Sequence, residues 1–307
     1  MKKVITFTLL IGSLSSYINA ANPNTDFSHW HPDPNWGAFA NQDMIKVTGI
    51  DLDSKGNLYA CGGDDEAVHV LDASGKEIAR WGNFIVDKHG LRIFDDKVYI
   101  TDIGSHVVYE CSLEGKILRV FGTVGESGLD DEHFYKPTDI CIAPNGNIYV
   151  SDGYGNSRIV CLNPAGEFLF AWGEPGNGPS QFCHPHNLVI TDNKVIVADR
   201  DNKRMQIFEM DGTFIEEWNN VGQPYGLDMG SDGLLYVSTV MGPETHCVLV
   251  MTLAGQILES FGHKGAGDGG FDVPHSLTIS KDVTSLTVGE VQNARVQRWN
   301  HKEHTHE

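Results

Sequence analysis

The chain has 307 residues, enough for one large domain or two small ones, and its 41 acidic side chains outnumber 22 basic ones to give a formal net charge of −19. An acidic balance of this size favours solubility and argues against nucleic-acid binding, which needs a basic surface. Beyond the first twenty residues no segment is apolar for long enough to cross a bilayer as a helix, so we predict no membrane span.

The first predicted element is a targeting segment. Lys2 and Lys3 form a basic start, residues 4–14 form an apolar stretch, and Ala20 ends a small-residue cleavage site. The apolar stretch is too short to serve as a membrane anchor. We therefore expect residues 1–20 to be a secretory signal peptide and the mature protein to be exported, either to the periplasm or outside the cell.

A unit of roughly 40 to 50 residues then repeats along the chain. Similar tripeptides close successive units: RWG at 80–82, VFG at 120–122, AWG at 171–173 and SFG at 260–262. Within residues 136–173, alternating apolar runs are separated by turn dipeptides such as Asn145-Gly146. Four short antiparallel strands per unit are typical of a β-propeller blade, and no helical periodicity competes with this pattern.

Six such units predict an all-β fold, a six-bladed β-propeller over residues 44–300. Their inner strands begin near six aligned positions, Thr48, His89, Thr138, His186, Tyr225 and His275. The last unit has no outer strand after Trp299, and residues 21–43, particularly those from His29 to Phe39, are candidates to supply it and close the ring. Residues 301–307 form a polar, histidine-rich tail.

Histidine occupies alternate aligned positions, as His89, His186 and His275. The first strand of each propeller blade lines the central channel, so these positions form a triangle around the axis. Three imidazoles with a fourth position open to water are a ligand set of catalytic zinc sites. We predict a divalent metal here, zinc in first place, with copper, nickel and iron as alternatives. The competing interpretation is that each histidine is a polar channel residue that holds a water molecule.

Two side chains near the predicted metal are candidate catalytic residues. The loops after the second strands lie on the same face of the ring as the histidines, and Tyr154 and Arg200 take similar places in adjacent loops. A phenol beside a metal can act as a general acid or base, and a guanidinium can bind a carboxylate through two hydrogen bonds. The flanking asparagines, arginines and aspartates fit a turn-stabilising role. His184, two residues before His186, is expected to face solvent.

The blades resemble NHL repeats, most clearly in GNIYVSDGYGNSRIVCLNPAGEF at 146–168 and VIVADRDNKRMQIFEMDGTF at 195–214. With HPHNLVI at 184–190 and FDVPHSLTI at 271–279, the chain more specifically resembles peptidyl-α-hydroxyglycine α-amidating lyase. That resemblance implies a six-bladed propeller with an axial zinc on His89, His186 and His275, an active-site tyrosine at Tyr154 and a substrate-binding arginine at Arg200. It further implies cleavage of an α-hydroxyglycine-extended substrate to an amide and glyoxylate.

The sequence departs from that family at several positions: Val273 replaces a methionine, the family's disulfide positions appear as Lys136, Gly155, Ile196 and Ile207, and two further changes concern the predicted sites. The family's second active-site arginine has no counterpart in residues 47–51, and Ser276 stands where the family has an aspartate that helps to hold a structural calcium. A structural calcium is therefore an open expectation. The expected partner is a small-molecule or peptide-like substrate, and a separate copper monooxygenase protein would be needed to hydroxylate it.

Two other functions fit the same residues. A propeller with an axial metal could be a hydrolase or lactonase that acts on another small substrate. A propeller without a catalytic metal could be a non-enzymatic NHL binding module. The fold cannot decide among these functions, because propellers host many of them. Metal content and the identity of the reaction product are the observations that separate them.

Overall fold

The computed structural model describes residues 29–36, 46–61 and 68–302, and every regular element within these ranges is a β-strand. The strands form six four-stranded sheets and two short two-stranded pairs, which confirms the predicted all-β six-bladed propeller. The predicted signal peptide, residues 1–20, lies outside the described residues, as do residues 303–307 of the tail. Within the described ranges there is no helix long and apolar enough to cross a membrane.

Five blades are built from four consecutive strands, and the sixth combines three C-terminal strands with one N-terminal strand. Blades 1 to 3 contain β2–β5 (Ile50–Leu52, Leu58–Cys61, Val68–Leu71, Glu77–Trp81), β6–β9 (Lys88–Phe94, Lys97–Asp102, Val107–Ser112, Ile117–Phe121) and β10–β13 (Asp139–Ile142, Ile148–Asp152, Arg158–Leu162, Phe168–Trp172). Blades 4 to 6 contain β16–β19 (Pro185–Thr191, Lys194–Asp199, Arg204–Glu209, Phe214–Trp218), β20–β23 (Gln223–Met229, Leu235–Gly242, Thr245–Met251, Ile257–Phe261) and β26–β28 (Pro274–Ile279, Ser285–Glu290, Arg295–His301) with β1 (Trp30–Pro32). The parallel pairs β14–β15 (Glu174–Pro175, Gln181–Phe182) and β24–β25 (His263–Lys264, Gly270–Phe271) precede blades 4 and 6.

Blade 3 shows how the sequence forms these sheets. Its second strand, Ile148–Asp152, is buried at every position, whereas its outer strand, Phe168–Trp172, alternates half-buried and exposed side chains. Gly146 occupies the hairpin turn between the first two strands with a φ of 86°, which glycine adopts without steric cost. Apolar side chains of neighbouring blades then pack between the sheets, as Val108 of blade 2 and Ile140 of blade 3 do.

The sixth blade joins the two ends of the described chain. Trp30–Pro32 pairs antiparallel with Arg295–His301 as the outer strand of this blade. The Trp30 side chain is buried and stacks on Phe261 of blade 5, with 5.7 Å between ring centroids. Because an N-terminal strand completes a blade of C-terminal strands, residues far apart in the chain hold the ring closed.

A β-bulge marks the start of the inner strand in four blades. In blades 2, 4, 5 and 6 the pairing of the first two strands shifts register around His89, His186, Tyr225 and His275. A bulge leaves its extra residue outside the hydrogen-bond ladder and re-aims that side chain. Three of the four positions are the histidines of the predicted triangle.

Candidate metal centre

The three bulged histidines converge on the channel axis. The ring centroids of His89 and His186 are 4.6 Å apart, those of His186 and His275 are 4.6 Å apart, and those of His89 and His275 are 4.9 Å apart. One ring nitrogen from each histidine lies within 4.8 Å of the other two. All three residues are buried, with exposures between 2% and 7%. The predicted ligands are therefore close enough to share one ion.

Each histidine is oriented by a neighbouring blade. Nδ1 lies 2.7 Å from a backbone carbonyl oxygen in every case: Thr138 for His89, Tyr225 for His186 and Thr48 for His275. A carbonyl only accepts hydrogen bonds, so Nδ1 carries the proton and Nε2 keeps its lone pair. Metal-ligating histidines are oriented in this way, by donation from the other ring nitrogen.

The inner strands approach closely enough to allow this contact. A Cβ atom on Gly90 would lie 2.6 Å from the Thr138 oxygen that His89 binds. Any other residue at position 90 would therefore push that strand away from its neighbour. Glycine directly after the axial residue thus permits the short hydrogen bond between blades 2 and 3.

The electrostatic environment keeps the three imidazoles neutral. Burial, with the charge of Arg200 as a smaller cause, lowers the pKa of His275 to about 4. Burial and the neighbouring His275 lower the pKa of His89 and of His186 well below the usual value. His186 Nε2 is also buried and lacks a hydrogen-bond partner among the described residues. Neutral rings with inward lone pairs, one of them unsatisfied, fit a divalent cation that prefers nitrogen ligands.

The Tyr154 hydroxyl is hydrogen-bonded directly to one histidine of the triangle. Its Oη lies 2.8 Å from His89 Nε2 and 2.8 Å from Arg200 Nη1. Arg200 donates to Oη, and Oη donates to the imidazole lone pair. The backbone N–H of Tyr154 donates to the Lys136 carbonyl at 3.2 Å, which holds the loop beside the channel. The structure thus brings the candidate tyrosine and the candidate arginine together next to one predicted ligand.

Arg200 is fixed from several sides. Its guanidinium carbon lies 5.3 Å from the ring centroid of Tyr154 and 5.3 Å from that of Tyr225, so the cation sits between two aromatic rings. Nε donates to Asp201 Oδ1 at 2.8 Å, and Nη2 donates to Oδ2 at 3.3 Å. The carboxylate therefore binds one edge of the guanidinium and leaves Nη1 directed at Tyr154.

His184 does more than face solvent. Its side chain is 39% exposed, its Nδ1 lies 2.6 Å from Asp201 Oδ2, and its ring packs edge-on against Tyr154 at 5.3 Å. The sequence pattern did not predict that His184, Asp201 and Tyr225 belong to this network. The available signal was position alone, since two of them lie within two residues of a candidate and Tyr225 occupies an aligned axial position.

The residues that flank the two candidates form the turns, as expected from the sequence. Buried Asp152 accepts hydrogen bonds from Asn156 at 2.6 Å and from Arg158 Nε at 3.0 Å. Asp199 does the same in blade 4 with Asn202 and Arg204. A buried ion pair within each turn gives Tyr154 and Arg200 a rigid support.

Blade 1 contributes a lysine where no arginine is available. Lys46 lies two residues before the axial Thr48 and is half-buried. Burial and the other charges near the triangle have the larger effects on the pKa of His89 and of His275. The positive charge of Lys46 lowers both pKa values a little further. The triangle is thus influenced by a cation from blade 1 as well as by Arg200 from blade 4.

Comparisons with known proteins agree with this architecture. A family model described as NHL repeat matches residues 134–162 and 182–208. The rat protein named peptidylglycine alpha-amidating monooxygenase is 32% identical over 88% of this chain, and the match spans 33% of the rat protein. A Caenorhabditis elegans protein named as a probable peptidyl-alpha-hydroxyglycine alpha-amidating lyase is 36% identical over 47% of this chain and 43% of its own length.

A solved structure titled streptogramin B lyase superposes with a TM-score of 0.63 at 17% identity, and the match covers 88% of this chain and 97% of that one. This likeness shows the shared fold alone. The chain spans 33% of the length of the rat monooxygenase. The repeats, the blade count and the sequence similarity agree with one another. The chain is therefore a six-bladed NHL-repeat propeller that resembles the peptidyl-α-hydroxyglycine α-amidating lyases.

Proposed function

We propose that this protein is an exported, zinc-dependent lyase of the amidating type, which cleaves a peptidyl- or N-acyl-α-hydroxyglycine to an amide and glyoxylate. Its chief support is the convergence of three Nε2 atoms, each backed by an Nδ1 hydrogen bond to a neighbouring blade. The Tyr154 hydroxyl, 2.8 Å from one of these atoms, adds a proton-transfer group. The NHL match covers the loops that carry Tyr154 and Arg200, and the rat and Caenorhabditis elegans relatives bear amidating names.

His89, His186 and His275 would hold the ion through Nε2. Zinc suits three neutral imidazoles that leave a fourth position for substrate or water. The carbonyl partners of Nδ1 would fix the ring orientations and raise the basicity of the ligands. When bound, the ion would supply Lewis-acid polarisation of the substrate hydroxyl oxygen.

The proposed reaction breaks one C–N bond and moves one proton. The substrate hydroxyl loses its proton, its oxygen becomes the aldehyde oxygen of glyoxylate, and the nitrogen gains a proton as it leaves as an amide. No oxidant or reductant is consumed. The lone pair of His89 Nε2 that accepts from Tyr154 here would be taken up by a bound ion, so Oη would keep its hydrogen bond from Arg200 at 2.8 Å and be free to exchange a proton with the substrate.

Arg200 would orient the substrate's carboxylate. That group is bonded to the reacting carbon, so a cation beside Tyr154 can hold it close to the site of chemistry. Asp201 and the two flanking tyrosine rings keep the guanidinium in one position. Lys46 provides a second positive charge near the histidines, and two cations favour an anionic substrate over a neutral one.

The hydroxylated substrate must be made by oxidation of a glycine α-carbon. We propose that a copper monooxygenase carries out that step; the rat relative, 33% of which this chain matches, is named as a monooxygenase. Export of the lyase by residues 1–20 would place both steps outside the cytoplasm, in the periplasm or beyond the cell.

Metal analysis followed by product analysis tests this function. We expect the purified full-length protein to contain one zinc per chain and to release equal amounts of benzamide and glyoxylate from N-benzoyl-α-hydroxyglycine. Chelator-treated protein should lose this activity and regain it when zinc is restored. Zinc content with ester or lactone cleavage and no glyoxylate would establish the hydrolase instead. A chain that takes up no divalent metal and turns over none of these compounds would establish the binding module.

A further inference from the structure

Arg92 occupies the channel beneath the histidine triangle. It follows His89 by three residues on the inner strand of blade 2 and is 7% exposed. Its guanidinium donates to Asp139 of blade 3 at 3.1 Å, to the side-chain oxygen of Asn187 of blade 4 at 2.7 Å and to the Leu227 carbonyl of blade 5 at 2.8 Å. One side chain from blade 2 thus contacts three successive blades, which places its positive charge inside the channel.

Three carboxylates, one buried and two half-buried, surround this charge. Asp51, Asp139 and Asp228 come from blades 1, 3 and 5, and each accepts a backbone N–H from the next blade, at 2.7, 3.2 and 2.9 Å. Burial lowers the pKa of Arg92, but the three carboxylates outweigh this effect and raise its pKa above the ordinary value. The guanidinium is therefore charged and is the cation that these acids share.

The structural calcium implied by the family resemblance does not fit this channel. Calcium takes six to eight oxygen ligands at about 2.3–2.6 Å. Arg92 already binds oxygens of Asp139, Asn187 and Leu227, so an ion in this layer would have to compete with the guanidinium for all three. A divalent ion in the same layer would also face a fixed positive charge only a few ångströms away, which is strongly repulsive in a buried setting. Ser276 adds only a hydroxyl where the family has a carboxylate.

We propose that Arg92 is an internal cation that takes the place of a structural metal ion in the channel. The native chain binds no calcium in this layer, and removal of the guanidinium leaves a carboxylate-lined site that accepts a divalent ion of the calcium class. The same side chain ties blades 2 to 5 together on the side of the channel opposite to the candidate catalytic loops. This role is independent of the reaction that the histidine face carries out.

Calcium binding to the wild-type protein is the first test. The zinc-loaded full chain is dialysed against 1 mM calcium chloride and then analysed for calcium, beside a sample kept in a calcium-selective chelator. Calcium does not compete for the histidines, because it prefers oxygen ligands. We expect no calcium bound in the channel and the same melting temperature in both samples. One calcium per chain, with a matching rise in melting temperature, would overturn the assignment of Arg92.

Three variants make the second test. Arg92→Ala leaves a cavity between the three aspartate carboxylates, and Arg92→Met fills that cavity with an apolar side chain. Arg92→Ala/Asp139→Asn leaves the cavity but removes one of the carboxylates that could bind calcium. We expect Arg92→Ala to melt roughly 10 °C below wild type, since it leaves the buried Asp139 carboxylate without its ion-pair partner. Calcium should restore most of this loss in Arg92→Ala, and little of it in Arg92→Met or the double variant.

The variants also decide the case against the proposal. A folded Arg92→Ala protein that calcium does not stabilise, or a calcium effect equal in all three variants, would contradict it. If Arg92→Ala does not fold, Arg92→Lys replaces it as the measured variant. Arg92→Lys keeps the positive charge, so its melting temperature should be near that of wild type and should not change when calcium is added. A calcium-dependent rise in the melting temperature of this variant would contradict the assignment of Arg92 as an internal cation.

Discussion

His275 Nδ1 lies 2.7 Å from the carbonyl oxygen of Thr48, although 227 residues separate the two along the chain. This hydrogen bond joins blade 6 to blade 1, where the ring closes. His89 makes the same contact with blade 3, and His186 makes it with blade 5. The candidate ligands therefore bridge three alternate joints of the propeller.

Aspartates bridge the other three joints. Asp51, Asp139 and Asp228 accept N–H groups from Ile93, Leu188 and Ile279, which lie in blades 2, 4 and 6. All six joints between inner strands thus carry a side-chain-to-backbone hydrogen bond. An ion held by the three histidines would link blades 2, 4 and 6 and reinforce this ring, so metal binding and ring stability should be coupled.

Removal of the metal is expected to lower the melting temperature by roughly 10 °C, because a ligand held near a thousandfold its dissociation constant adds about 4 kcal/mol to stability. Differential scanning calorimetry of zinc-loaded and chelator-treated protein measures this shift. His133→Ala serves as the control, since the ring of that half-buried histidine contacts the loop carboxylates of Asp130 and Glu126, away from the triangle. Identical melting of both forms would show that the histidines do not couple metal to the ring.

Tyr154→Phe is expected to keep its zinc and to produce glyoxylate roughly 10²- to 10⁴-fold more slowly, because general acid–base groups contribute rates of this order. His186→Ala should instead lose zinc, since it removes one of three ligands. Elemental analysis and single-turnover assays of both variants separate the two effects. Tyr59→Phe, a buried phenol in blade 1, should change neither quantity. Full turnover by Tyr154→Phe would remove this hydroxyl from the reaction.

Asp201→Asn is expected to weaken substrate binding through Arg200. The neutral amide cannot pair with both Nε and Nη2, so the guanidinium gains freedom and a loss of roughly 10- to 100-fold in kcat/KM follows, mostly through KM. Steady-state kinetics measures the change, and zinc content should stay the same. Asp211→Asn, on an exposed turn at the outer edge of blade 4, is the matched control. A variant with wild-type KM would show that Asp201 does not position Arg200.

Asp51 gives the channel a pH dependence of predictable sign. Burial, and to a smaller extent the charge of Asp228, raises the pKa of this carboxyl to about 6, while Arg92 opposes the rise. A raised carboxyl pKa means that stability is fullest below the unfolded value of about 3.9 and is lost as pH rises through the folded value. An asparagine at position 51 cannot ionise, so the variant does not lose this stability as the pH rises.

The free energy of unfolding of Asp51→Asn should therefore rise relative to wild type by about 1–3 kcal/mol between pH 4.5 and pH 7.5. Urea denaturation at both pH values measures the difference. Asp211→Asn removes a carboxyl whose pKa is lowered by hydrogen bonds to Thr213, so it should not show this rise. A constant difference between Asp51→Asn and wild type would mean that Asp51 titrates alike in the folded and unfolded chains.

Local patterns were sufficient to predict the architecture. The period-two alternation in residues 136–173 and the Asn145-Gly146 turn fix strand and hairpin positions through backbone geometry that involves only near neighbours. Repetition of the unit then predicts the blade count and the equivalent positions of the three histidines. In the structure the ring centroids of these histidines lie less than 5 Å apart. His184 shows the limit of such local patterns. Its position in the sequence predicted a solvent-facing side chain, but its ring packs on Tyr154.

The sequence by itself determined the repeat, the strand order and which residues begin the inner strands, because these depend on side-chain periodicity and turn chemistry within each unit. Only the tertiary structure decided which carbonyl binds each Nδ1, that Asp201 and His184 hold Arg200, and that Arg92 fills the channel. Contacts such as those from His186 to Tyr225 and from Arg92 to Leu227 join residues 39 and 135 positions apart. They form only when the ring closes and the packed blades select one rotamer for each side chain.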